Sequence, residues 1–117
     1  MKGYIDMIFR HQGRFYLLDW KSNYLGPTVD QYNQPCLQGA MEAHYYILQY
    51  HLYTLALHQY LRYQQPDYHY EKDFGGVFYV FVRGVNERQG PEYGIFYDRP
   101  DPGLIHSLGQ TLIPGYG

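Results

Sequence analysis

The chain has 117 residues, a formal net charge of -2 and a single cysteine, Cys36. This length suggests one domain, and 45% hydrophobic with 17% charged residues exclude a disordered chain. A free-standing nucleic-acid-binding protein is more often basic, so contact with DNA would need positive charge from metal ions or from a larger assembly. One cysteine excludes an internal disulfide and four-cysteine zinc or iron–sulfur sites.

No apolar run approaches the ~18 residues that are needed to span a membrane, and no signal peptide is evident. Together with the single cysteine, this favours a reducing cytoplasm and no contact with a membrane. The first three residues lead directly into a predicted strand, which suggests that the chain is part of a longer protein.

The first half of the chain begins with a predicted β-hairpin over residues 3–21. Both arms are rich in β-branched and aromatic residues, and the polar segment 10–14 supplies the turn signal. Residues 22–38 are predicted to form a loop, because they contain Gly26-Pro27 and Pro35.

The remainder of the chain predicts one long helix followed by two strands. Residues 39–63 have a helical period of apolar side chains, and Pro66 ends the pattern. Residues 75–82 form an apolar run of strand length, typical of a central strand that is buried on both faces. A short edge strand is predicted at 94–97 and one or two helical turns at 104–112. The order β-β-α-β indicates an α/β domain with a mixed sheet.

Two acids and a lysine lie inside the predicted hairpin. Strand side chains alternate between faces, so Asp19 and Lys21 share one face. If residues 12–13 form a two-residue turn, paired positions sum to 25 and Asp6 lies opposite Asp19. Facing carboxylates with Cβ atoms about 5 Å apart repel each other unless a cation lies between them. Hard oxygen ligands suit Mg²⁺.

An alternative is that these charges form a solvated surface, and a register slip of one residue would put the acids on opposite faces. The apolar neighbours favour the site. Asp19 shares its face with Phe15 and Leu17, and Asp6 shares its face with Tyr4 and Ile8. We therefore expect this face to be buried for most of its length and to open at the acids.

An acid, then acid-x-Lys on the next strand, then a helix, resembles the pattern of the PD-(D/E)xK nuclease superfamily. The segments GYIDMIFRHQGRFYLLDWKSNYLG, AHYYILQYHLYTLALHQYLR, FGGVFYVFVRG and GIFYDRP are similar to the C-terminal nuclease domain of the RecB family, the exodeoxyribonuclease V beta subunits. The resemblance runs from Gly3 to about Leu108. It implies a restriction-endonuclease-like core and makes residues 1–117 a partial nuclease domain, without upstream helices that carry a further metal ligand.

The resemblance also implies roles for individual residues. Asp6 and Asp19 match the two metal-binding aspartates, which together with the catalytic Lys21 make up the catalytic set. The backbone carbonyl of Trp20 would complete the metal shell.

A second motif of the family lies on the long helix. Gln49 and Tyr53 match its Gln-x-x-x-Tyr pattern, whose residues border the active site and the DNA path. These two residues are four apart and so share a helix face. An amphipathic helix with a packed tyrosine is the alternative interpretation.

The implied activity is that of a Mg²⁺-dependent DNA exonuclease, with Mn²⁺ or Ca²⁺ able to replace Mg²⁺ for binding. It would hydrolyse unwound single strands as the nuclease part of a bacterial helicase/nuclease subunit in double-strand-break repair and recombination. DNA and the gamma and alpha subunits of exodeoxyribonuclease V are the implied partners. The alternative is a non-catalytic docking module that keeps the nuclease fold, since the upstream ligand is missing. A related iron–sulfur nuclease is excluded by the single cysteine.

Overall fold

The computed structural model describes residues 6–85, 90 and 92–116. Its hairpin consists of β1 (Met7–His11) and β2 (Arg14–Lys21), joined by Gln12 and Gly13. Both linking residues have positive φ, 50° and 79°, which is the geometry of a type I′ turn that suits antiparallel strands. The predicted two-residue turn is confirmed, and positions 3–5 of the predicted hairpin lie outside the described residues.

The hairpin is part of a four-stranded mixed sheet with β3 (Phe74–Phe81) and β4 (Ile95–Asp98). The strands lie in the order β1-β2-β3-β4; β2 and β3 are parallel, and the two outer pairs are antiparallel. All but one residue of β3 are buried, which confirms the predicted central strand. The predicted edge strand is β4.

The helices differ from the prediction at two places. A helix begins within the predicted loop 22–38, and the predicted single helix 39–63 is divided at His44 and Tyr45. Both predictions are therefore wrong in part. The α-helices of the described residues are α1 (Gln34–Ala43), α2 (Tyr46–Gln64), α3 (Tyr70–Asp73) and α4 (Pro102–Leu112), and the 3₁₀ turns are Val29–Tyr32 and Val82–Gly84.

The start of α1 is fixed by a capping residue. The Asn33 side chain accepts a hydrogen bond from the Cys36 N–H at 3.0 Å, which satisfies one of the free donors of the first turn. Pro35 lies in this first turn, where its missing N–H costs nothing. The proline that suggested a loop thus belongs to a helix, and Cys36 is exposed on that helix.

The break between α1 and α2 is a single left-handed residue. Tyr45 has φ 59° and ψ 24°, and its N–H donates to the Glu42 carbonyl. A left-handed residue is a common way to end a helix, but glycine usually takes that position. Because neither His44 nor Tyr45 is a glycine or proline, the sequence carries no ordinary signal for this break.

The hydrophobic core joins the helices to the sheet face that carries Leu17, Val77 and Tyr79. The expectation that the acid-bearing face is buried holds for β2, where Leu17 is 1% exposed. It is wrong for β1, because Ile8 is 55% exposed at the edge of the sheet. None of the helices in the described ranges is long and apolar enough to cross a membrane. The arrangement is an α/β fold that is compatible with a restriction-endonuclease-like core.

Candidate active site

The two hairpin acids face each other as predicted. The residue numbers of each pair sum to 25, from Met7 with Leu18 to His11 with Arg14. The same register, continued by one residue, places Asp6 opposite Asp19. The Trp20 N–H donates a hydrogen bond to Asp6 Oδ2 at 2.9 Å. The carboxyl groups of Asp6 and Asp19 lie close enough for each to change the pKa of the other. The register thus brings both acids to one point on the sheet.

The two acids lie in different environments. Asp19 is 2% exposed, and burial, followed by the hydrogen bond to Asp6, raises its pKa to about 6. Asp6 is exposed, and its hydrogen bonds to Asp19 and to the Trp20 backbone lower its pKa. Of the two carboxyls, Asp19 therefore binds a proton more readily, and Asp6 ionises more readily.

Lys21 lies at the open end of the same face. Its Nζ is 2.6 Å from Asp19 Oδ2, and its side chain is 16% exposed. The same Nζ lies over the Tyr46 ring at 4.1 Å and over the Tyr79 ring at 5.4 Å from the centroids. The ammonium is therefore held between one carboxylate and two aromatic faces, which attract cations through their ring quadrupoles.

The donor set fits a divalent cation. Asp19 Oδ2 is buried, and the Lys21 Nζ lies 2.6 Å from it as its counter-ion. Such an oxygen is costly to bury unless a donor or a cation compensates it. Two facing carboxylates are the hard oxygen ligands that Mg²⁺ prefers. No group of three or more His, Cys, Asp or Glu within the described ranges forms a ligand cluster.

The Gln-x-x-x-Tyr residues lie behind the acids. Gln49 is 3% exposed, and its Oε1 accepts a hydrogen bond from the Tyr79 hydroxyl at 2.5 Å. Tyr79 is paired with Asp19 across the parallel strands, so Gln49 reaches the site through Tyr79. Tyr53 is half-buried and packs against the core. Contacts of Gln49 and Tyr53 with DNA stay a prediction.

Trp20 presents its indole away from the acids. The side chain is 50% exposed, and it lies on the opposite face of β2 from Asp19 because side chains alternate. Its backbone N–H holds Asp6. The predicted role of its carbonyl as a metal ligand stays a prediction.

Tyr79 is a site residue that the sequence patterns did not indicate. It lies within the apolar run of β3 and is completely buried. A tyrosine inside an otherwise apolar strand is the signal that could have found it, because its hydroxyl needs a buried partner. The contact of Tyr46 with Lys21 had no such signal, since it depends on how α2 packs against the end of β2.

Comparison with curated proteins gives consistent matches to one subunit. RecBCD enzyme subunit RecB of Escherichia coli (strain K12) is 56% identical over 112 residues, 96% of this chain and 9% of that protein. RecB of Haemophilus influenzae is 52% identical over 108 residues, 92% of this chain and 9% of that protein. RecB of Mycobacterium tuberculosis (strain H37Rv) is 37% identical over 121 residues, 98% of this chain and 11% of that protein.

No protein-family model matches the chain. The chain spans about one-tenth of the length of the curated relatives that it matches. The chain is therefore related, over nearly its whole length, to one segment of the RecB subunit.

Proposed function

We propose that the chain carries the metal-dependent phosphodiesterase centre of a DNA exonuclease, in which Asp6 and Asp19 hold Mg²⁺ and Lys21 acts on the reacting phosphate. The observation that carries the proposal is the opposed acid pair, with a lysine 2.6 Å from its buried member. Like charges that face each other across a hairpin destabilise it, and a cation between them removes that cost. The similarity to RecB supports DNA as the substrate.

Each residue has a distinct chemical task in this proposal. A bound divalent cation supplies charge neutralisation at the phosphate and a more acidic water. Asp19 must lose its proton to act as a ligand, so cation affinity rises with pH through its pKa of about 6. Lys21 orients the attacking water or stabilises the negative charge that develops on the phosphate oxygens. The Trp20 carbonyl is the proposed backbone ligand.

The wider setting is also a proposal. The name of the relatives, RecBCD enzyme subunit, describes a multi-subunit enzyme. We infer that this chain acts within such an assembly, with the gamma and alpha subunits of exodeoxyribonuclease V as partners. Its substrate would be unwound single strands during double-strand-break repair and recombination, in the bacterial cytoplasm.

The test is cleavage of end-labelled single-stranded DNA by this chain in Mg²⁺ or Mn²⁺. Asp19→Asn removes the buried ligand, and Asp67→Asn is the matched control, since Asp67 is exposed on the loop after α2. We expect metal-dependent cleavage that Asp19→Asn abolishes and Asp67→Asn retains. Cleavage that persists in Asp19→Asn would refute the proposed site.

A non-catalytic docking module is the second candidate. The observation in its favour is that, within the described residues, no third acid or histidine joins Asp6 and Asp19 to form a ligand cluster. Calorimetric titration with Mg²⁺ and Mn²⁺ separates the two candidates. Binding that disappears in both Asp6→Asn and Asp19→Asn supports the catalytic centre, and binding that is absent or indifferent to both substitutions supports the module.

A further inference from the structure

Lys21 has two kinds of partner, and they are not equivalent. Its Nζ lies 2.6 Å from Asp19 Oδ2 and 4.1 Å from the centroid of the Tyr46 ring. The first contact is an ion pair with a carboxylate that the proposed cation also needs. The second is a contact with a neutral aromatic face, which attracts the ammonium without offering a ligand to a metal.

The Tyr46 ring is held in place independently of Lys21. Tyr46 is the first residue of α2, directly after the left-handed Tyr45. Its hydroxyl donates a hydrogen bond to Asn23 Oδ1 at 3.3 Å, and its ring stacks on His44 at 5.3 Å with an interplanar angle of 20°. Since Asn23 follows Lys21 by two residues, the hydroxyl ties the ring to the same end of β2.

A cation between Asp6 and Asp19 would bring a second positive charge to the Asp19 carboxylate, which Lys21 already contacts. Two positive groups on one carboxylate repel each other, so the hold of Asp19 on the ammonium weakens. The Tyr46 face is already in contact with it and stays available. The ring therefore supplies the contact that keeps Lys21 at the site once Asp19 is used as a ligand.

We propose that Tyr46 is a positioning residue for Lys21, whose ring face holds the ammonium beside the acid pair while Asp19 serves as a metal ligand. The functional part of this inference rests on the proposed nuclease centre. The contact itself does not, and its test needs neither metal nor DNA.

The first test is NMR of the chain with ¹³C-labelled lysine. The chain has three lysines, Lys2, Lys21 and Lys72, so the ε-methylene signals are few and a Lys21→Arg spectrum assigns the one of interest. A methylene over a ring face is shifted upfield. We expect Tyr46→Phe to keep the upfield shift and Tyr46→Leu to move the signal towards that of the exposed Lys72. A signal that does not move in Tyr46→Leu overturns the proposal.

A second measurement leaves Tyr46 intact and so does not depend on the folding of its variants. Asp19→Asn removes the ion pair but not the ring. If Tyr46 holds Lys21, the upfield shift of the Lys21 signal persists in Asp19→Asn. If the signal moves to its random-coil position, the ion pair alone placed Lys21 and the proposal is wrong.

The third test concerns the rate of DNA cleavage in Mg²⁺. We expect Tyr46→Leu to lower kcat about tenfold, ~1.4 kcal/mol in the barrier, with KM within about twofold, and Tyr46→Phe to restore most of the rate. Tyr63→Leu is the control, since Tyr63 is 90% exposed near the end of α2. A change confined to KM would contradict positioning of Lys21. If the unsubstituted chain does not cleave, the proposed function fails and the NMR results alone decide the contact.

Discussion

Tyr79 of β3 donates its hydroxyl hydrogen bond to Gln49 of α2 at 2.5 Å, and both side chains are buried directly behind Asp19. The bond links the helix layer to the sheet at the strand pair that carries the acid. Burial raises the pKa of the Tyr79 hydroxyl, and the nearby Asp19 carboxylate adds to this effect. Tyr79 therefore stays a neutral donor at all pH values of interest, and Gln49 is its acceptor.

This pair should show strong energetic coupling. Tyr79→Phe leaves the Gln49 carbonyl oxygen buried without a donor, which costs about 1–3 kcal/mol. Gln49→Leu leaves the buried Tyr79 hydroxyl without its acceptor, at a similar cost. We expect the double variant to lose less free energy of unfolding than the sum of the two single losses. Urea unfolding of the four proteins measures the coupling, and strictly additive losses would contradict it.

The stability of the metal-free chain should depend on the protonation of Asp19. Its pKa is raised to about 6 in the folded chain, compared with about 3.9 in an unfolded chain. Because the pKa is higher in the folded chain, protonation of Asp19 stabilises the fold. This contribution to the free energy of unfolding is complete below about pH 4 and is lost as the pH rises through 6. The loss is at most ~3 kcal/mol for a shift of this size. The unfolding free energy of Asp19→Asn should not show this pH-dependent loss.

The measurement is the difference in unfolding free energy between the chain and Asp19→Asn from pH 4 to pH 7. A difference is needed because His58 titrates with the opposite sign. Burial lowers the pKa of His58 to about 4, with Arg62 and His106 adding to the effect, so its contribution is lost as pH falls. A pH-independent difference would show that Asp19 is not the titrating group.

Lys21→Ala should separate chemistry from cation binding. The lysine acts on the reacting group, so its loss should abolish cleavage. It also places a positive charge 2.6 Å from Asp19 Oδ2, so at a pH where Asp19 is ionised in both proteins Mg²⁺ or Mn²⁺ should bind as tightly as before or several-fold more tightly. Calorimetry on the DNA-free chain measures this affinity, with Lys72→Ala as the control because Lys72 is exposed. Weaker cation binding in Lys21→Ala would count against this role.

The helix break offers a test of backbone strain. Tyr45 is 71% exposed with φ 59°, and a left-handed non-glycine residue costs about 1–2 kcal/mol. Tyr45→Gly should therefore raise the free energy of unfolding by up to ~1 kcal/mol, since glycine loses more entropy on folding. Tyr60→Gly, at an exposed position inside α2, should lower it by about 0.5–1 kcal/mol. Thermal unfolding of both variants shows whether the signs differ.

The hairpin and its acid pair were predictable because every part of them is local. The turn at 12–13 sets the register, the alternation sets the face, and together they place Asp6 against Asp19. The start of α1 could also have been predicted from the sequence. Asn33 two residues before Pro35 is a capping pattern, and proline is compatible with the first turn of a helix.

Two other features depend on tertiary packing. The left-handed Tyr45 has no local signal, and it decides where Tyr46 lies. The place of Tyr79 beside Asp19 requires β2 and β3 to pair in parallel across the intervening helices, and no periodicity in the sequence specifies that register. The sequence therefore predicts the charged residues of the site, but not the aromatic side chains that enclose Lys21.

The short turn of the hairpin also has a consequence for the order of folding. Asp6 and Asp19 meet as soon as the hairpin forms, a step that takes about 1–10 μs. Tyr79 can join them only after the chain of α1 and α2 has closed a long loop, which is a slower, non-local step. We expect the two carboxylates to face each other while water still surrounds both. If they hold a cation as proposed, it can bind at that stage, before the aromatic side chains exclude the solvent.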